Sequence, residues 1–80
     1  MYYVYIVRAS DDSLYSGITT DLERRVREHN SEKVGSKYLR SKRPVTLVYS
    51  ETQVNRSAAL RREAELKKLN KQAKERLVAK

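Results

Sequence analysis

The run Tyr2-Tyr3-Val4-Tyr5-Ile6-Val7 is β-branched or aromatic at every position, and in a chain of 80 residues it constrains most of what can be built. Side chains of that shape pack well on a pleated surface, so the run predicts a strand. Asp11-Asp12-Ser13 is a turn cluster, and Leu14-Tyr15-Ser16-Gly17-Ile18 resumes the extended pattern. Two short strands joined by a short polar loop read as an antiparallel hairpin. A chain this short makes one domain, spanning residues 1–80, whose core is a sheet covered by helices. The sequence has no cysteine, which excludes a disulfide scaffold or a thiolate zinc site and fits a reducing cytoplasm. The apolar run at the amino end is too short to span a membrane and lacks the basic flank of a signal peptide.

Helical signals follow the hairpin. Thr20-Asp21-Leu22-Glu23 has the form of a capping box with Thr20 as the cap. Leu22, Val26 and His29 then share one face, with Arg25 beside them, and Asn30-Ser31 ends the helix. Residues 32–43 form a polar, basic crossover with room for a short helix around 37–41. Pro44 stops it, and Val45-Thr46-Leu47-Val48-Tyr49 supplies a third strand. Asn55 or Ser57 caps a second helix running to about Leu69, and Asn70 caps a last short helix over residues 71–78. The expected order is β-β-α-(α)-β-α-α, a small α/β (α+β) fold.

Charge narrows the partner. The chain carries 18 Lys and Arg against 10 Asp and Glu, a formal net charge of +8. Such a field concentrates polyanions, which puts nucleic acid ahead of solvated basic helix faces only on even terms. No helix pairs a basic face with a broad apolar one, so a membrane surface is disfavoured.

Several residues have the chemistry for a site. Tyr5 and Tyr15 lie on consecutive strands and project to one face if the hairpin turns near Asp11. They read either as a cross-strand aromatic pair or as hydroxyls that position a water. Arg25 and His29, spaced i,i+4, lie one turn apart. The arginine suits a phosphate and the imidazole a hydrogen bond or proton, or else they are a snorkelling side chain and a helix-end residue. His29 is the single histidine, which argues against a histidine-based metal site. Glu63 shares a face with Ala59 and Leu66, so its carboxylate points inward and needs a partner. That partner is a metal ion or an arginine among Arg24, Arg25 and Arg27. In the crossover, Lys37, Tyr38, Arg40, Lys42 and Arg43 interleave charge with an aromatic ring, as a phosphate track with a stacking platform does. Gly17 would let a phosphate approach the backbone. Lys67, Lys68, Lys71, Lys74 and Arg76 read as ordinary surface charge.

Taken together, Val4-Tyr5-Ile6 and Tyr15-Ser16-Gly17, with Arg25, His29 and Glu63 following in order, resemble the GIY-YIG nuclease superfamily. The segment Lys42-Arg43-Pro44-Val45-Thr46-Leu47-Val48-Tyr49 and the helix after it resemble the small stand-alone bacterial members. The resemblance implies a central three-stranded antiparallel sheet flanked by helices. It implies a site of Tyr5, Tyr15, Arg25 and His29, with Glu63 holding one Mg2+ or Mn2+ ion. The implied activity is an endonuclease acting on DNA ahead of RNA, structure-selective or nonspecific, in repair or recombination, with a protein partner for targeting a further expectation. The alternative is a nucleic-acid-binding module that needs a partner or lacks catalysis. Val4 replaces the first glycine of the pattern, Ser16 its usual isoleucine, and Ile18 a lysine that some members carry.

Overall fold

The computed structural model of the protein describes residues 1–31 and 40–79, Arg40 by its backbone alone. Strands β1 (Tyr2–Arg8) and β2 (Leu14–Thr19) form the expected antiparallel hairpin. Asp12 turns the chain at φ 70, in the left-handed region that aspartate tolerates when its carboxylate has local partners. Here those partners are Arg8 at 2.8 Å and Lys71 at 3.3 Å. The neighbouring Asp11 accepts from the Ser13 hydroxyl and amide and meets the Lys42 ammonium, contacts that hold its carboxyl down to about 2. Strand β3 (Thr46–Gln53) pairs with the other edge of β1, giving the sheet order β2-β1-β3. It runs further than residues 45–49, because β1 offers partners as far as Tyr2 and the pairing carries the polar Ser50–Gln53 stretch along with it. Ile6 faces Tyr49 while Val7 faces Leu47, so Val48 is a bulge residue on β3.

Helix α1 (Leu22–His29) covers one face of the sheet, and α2 (Arg56–Lys68) with α3 (Lys71–Val78) covers the other. The period of two in β1 serves both layers. Tyr5 and Val7 pack with Leu22, Val26 and Tyr15 on the α1 side, whereas Val4 and Ile6 pack with Ala59 and Leu66 on the α2 side. Being buried on both faces explains why β1 is apolar or aromatic from Tyr2 to Val7 rather than alternating. Ile18 belongs to the second of these layers, packed with Val4 and Ile6.

The caps are local and follow their residue types. Asp21, not Thr20, caps α1, its carboxylate accepting from Arg24 N at 3.1 Å. The Thr19 hydroxyl takes the Asp21 amide, which moves the helix start one residue beyond the expected box. Asn55 caps α2 and Asn70 caps α3, each at 2.8 Å. Asn30 ends α1 and also bridges to the third strand. Its side chain accepts from Val45 N at 2.7 Å and donates to Val45 O at 3.1 Å. A 3-10 turn, η1 (Arg40–Lys42), and a cis Arg43-Pro44 bond lead into β3. Among the described residues, no helix is long and apolar enough to cross a membrane.

Candidate active site

The hairpin register places Tyr5 opposite Gly17 and Val7 opposite Tyr15. Both tyrosines therefore lie on the α1 face, one cross-strand step apart. The Tyr5 ring leans over Gly17, where a Cβ would fall 2.6 Å from Cζ and 3.0 Å from Cε2 and would collide with the hydroxyl. The space left by the missing side chain thus holds a phenol, and Gly17 is buried beneath it. The close approach it allows here is that of the Tyr5 side chain.

Helix α1 brings two more groups to that phenol. His29 Nε2 lies 2.8 Å from Tyr5 Oη in a buried hydrogen bond, and Arg25 Nε donates to the same oxygen at 3.3 Å. Spacing of i,i+4 puts the guanidinium and the imidazole on one stripe, so one oxygen engages both. Tyr15 meets the His29 ring edge-on, with centroids 5.6 Å apart and planes at 74°. Arg25 Nη1 also pairs with Glu28 at 3.2 Å.

Burial separates the two tyrosines. Tyr5 is 1% exposed, as is His29, whereas Tyr15 is half-buried at the rim. Burial pushes the Tyr5 phenol above 10.0, against the pull of the Arg25 hydrogen bond and charge. Burial likewise pushes His29 below 6.5, and the Arg25 charge adds to that effect. Both groups are therefore neutral near pH 7. Among the described residues His29 Nδ1 has no hydrogen-bond partner, leaving it an orphan buried atom beside Tyr5 and Arg25. Tyr5 holds the Arg25 guanidinium firmly protonated, with Glu28 assisting.

Glu63 approaches from α2. Its side chain is 17% exposed, and its negative charge is felt at Tyr5, where it helps raise the phenol. The ion-pair partner is none of the three arginines of α1 but Lys67, one turn along the same helix at 3.4 Å. Among the described residues, no group of three acidic, histidine or cysteine side chains converges as a metal cage. A shielded single carboxylate instead fits a magnesium site that water and substrate phosphate oxygens complete.

Tyr5, Tyr15, Arg25 and His29 thus come together, with Glu63 within electrostatic reach. Of the crossover residues, Lys42 packs on the hairpin turn, its ammonium 3.1 Å from Asp11 and its carbonyl accepting from Ser10 N. Arg43 is half-buried beside Pro44. Arg40 lies in the 3-10 turn, and Lys37 and Tyr38 lie outside the described residues. Two residues acquire roles that their sequence context did not suggest. Asn30 ties the end of α1 to β3, and Lys67 pairs with Glu63. The i,i+4 spacing of Glu63 and Lys67 was a readable signal; the Asn30 contact had none. A shallow groove of about 440 Å³ between Glu23, Val26, Arg27 and Leu47 shares no residue with the site.

Comparison with known proteins agrees with this fold. A family model described as the GIY-YIG catalytic domain matches residues 1–76. A UPF0213 protein of Haloquadratum walsbyi is 55% identical over 76 residues, 95% of this chain and 84% of its own length. The UPF0213 protein YhbQ of Escherichia coli is 51% identical over 78 residues, 98% of this chain and 77% of its own. The solution structure of the UPF0213 protein BH0048 from Bacillus halodurans superposes with a TM-score of 0.62 at 42% identity. It covers 99% of this chain and 84% of its own. The fold is the one these proteins share, and their names state no activity.

Proposed function

The chain belongs to the GIY-YIG catalytic domain family, and we propose that it is a divalent-metal-dependent endonuclease hydrolysing phosphodiester bonds in DNA. The observation that carries the reading is the buried Tyr5 hydroxyl, which ties the Arg25 guanidinium and the His29 imidazole together beside Tyr15. A structural core has little use for a neutral histidine and a protonated arginine sharing one phenol, whereas a phosphate site does.

Exposure supports a division of roles between the two tyrosines. Tyr5, with its hydroxyl enclosed by Arg25 and His29, is a positioning residue that aims the guanidinium. Tyr15, half-buried at the rim, is the more exposed of the two tyrosines. Tyr15 Oη is the general base that takes a proton from the attacking water. The water oxygen bonds to phosphorus as the bond to the 3′ oxygen breaks, and that oxygen takes a proton from solvent. Arg25 faces the negative charge that grows on the phosphate oxygens. Glu63 would hold Mg2+ or Mn2+, which when bound supplies Lewis-acid stabilisation of the leaving oxygen.

The net charge of +8 supplies attraction to the backbone without reading sequence, so cutting is structure-selective or nonspecific, as suits repair or recombination in the cytoplasm. A targeting partner would add selectivity. The test is cleavage of nicked, branched, single-stranded and duplex DNA with Mg2+, Mn2+ or chelator, beside Glu63→Gln and Tyr15→Phe. Metal-dependent cutting lost in both variants supports the nuclease. A folded wild-type chain that binds DNA but cuts none of the panel would make it a binding module instead.

A further inference from the structure

Glu63 and Lys67 make an unequal pair. The carboxylate is 17% exposed and faces the protein, while the ammonium, 3.4 Å away, is 55% exposed. Arg56, Leu60, Glu63 and Lys67 fall on one stripe of α2, so Lys67 is the next group along the helix from the proposed metal ligand. Arg25, the other cation of the site, is already engaged by Tyr5 and Glu28. Lys67 differs from it in having a flexible four-carbon stem and a solvent-facing head.

Resting on the nuclease reading, we infer that Lys67 is a resident counter-cation that holds Glu63 until the metal arrives and then pairs with the substrate phosphate. Two cations cannot share one carboxylate cheaply. A divalent ion on Glu63 repels an ammonium at ion-pair distance more strongly than the exposed pair attracts it. The released head group stays tethered one turn from the site, where the nearest new anion is the phosphate bound with the metal. Lys67 then adds charge stabilisation beside Arg25 and transfers no proton. The same residue competes with metal before substrate binds and supports turnover afterwards, so its removal separates the two effects.

The test uses the full chain with Lys67→Met, Lys67→Glu and Lys67→Arg, their folding checked by circular dichroism. Mn2+ affinity without DNA is read from the spin resonance of the free ion. Lys67→Met should bind Mn2+ about twofold tighter, the loss of one exposed i,i+4 competitor. Lys67→Glu, which adds a second carboxylate, should bind about tenfold tighter. Both should cut DNA roughly tenfold more slowly than wild type, while Lys67→Arg stays within about threefold. Affinity and rate therefore move in opposite directions. In a Tyr15→Phe background, Lys67→Met should lower the salt slope of DNA binding by about one with Mn2+ present and leave it unchanged with chelator.

If wild type binds Mn2+ and cuts while Lys67→Met matches it in both, the Lys67 role falls and the nuclease stands. If wild type takes up no Mn2+, both fall. If wild type binds metal without cutting, the nuclease reading falls and the metal-dependent salt slope alone decides on Lys67, an unchanged slope overturning it.

Discussion

Replacing Gly17 with alanine tests whether the Tyr5 phenol is held where the site needs it. Gly17 has no left-handed φ, so alanine meets no backbone strain and should gain about 0.4–1 kcal/mol from a stiffer unfolded chain. Against this, its Cβ would lie 2.6 Å from Tyr5 Cζ, far inside van der Waals contact. Overpacking of that kind costs about 1–3 kcal/mol, and displacing the phenol from His29 loses about 0.5–1.5 kcal/mol more. The contact terms win, and the net loss is about 0.5–4 kcal/mol, or a fall in Tm of roughly 2–30 °C for a domain of this size. Urea unfolding followed by tyrosine fluorescence measures the loss. Proton resonances of the single histidine supply an independent reading, because its pKa should climb back toward 6.5 as the pocket loosens. In a Tyr5→Leu background, whose shorter side chain lacks every atom nearest to that Cβ, Gly17→Ala should turn neutral or stabilising. An equal effect of Gly17→Ala in both backgrounds would refute the reasoning.

Stability should also depend on His29 in a defined window. Its folded pKa lies below 6.5, so the unfolded chain binds the proton first as pH falls. The stability tied to a neutral His29 is complete above 6.5 and is lost as pH drops through the folded value, so His29→Phe should flatten the Tm profile below about pH 6.5. The depressed carboxyls Asp11, Asp12 and Glu75 act only further into acid, which keeps the two effects apart. Asn30→Ala removes both side-chain bonds to the buried Val45 backbone and should cost about 1–3 kcal/mol in urea unfolding. Cleavage kinetics should rank the tyrosines. Tyr15→Phe should abolish turnover at every pH, whereas Tyr5→Phe should lower kcat by about 10–100-fold with the shape of the pH profile kept.

Much of the frame was legible because it rests on interactions close in sequence. The hairpin followed from an apolar run, a polar turn and a second extended stretch, and the α3 boundaries followed from Asn70 as cap. Where two caps competed, the answer depended on contacts beyond the pattern. The Thr19 hydroxyl binds the Asp21 amide and settles the start of α1 on Asp21 rather than Thr20. The extra length of β3 was not legible, since Ser50 and Glu51 have weak strand preference and are extended by pairing with β1.

The sequence by itself determined which stretches extend, where α3 begins and which residues could carry chemistry, since these depend on side-chain shape and on neighbours within a turn. It put Arg25 and His29 on one stripe because an α-helix repeats every 3.6 residues. Tertiary structure decided that β1 lies in the middle of the sheet, so that its two faces serve two different layers. It decided that the room above Gly17 belongs to Tyr5, that this phenol is enclosed while Tyr15 stays at the rim, and that Glu63 is largely screened from water. Exposure, proton affinity and ion pairing all depend on what distant segments bring to the same few ångströms, and only the packed chain fixes that.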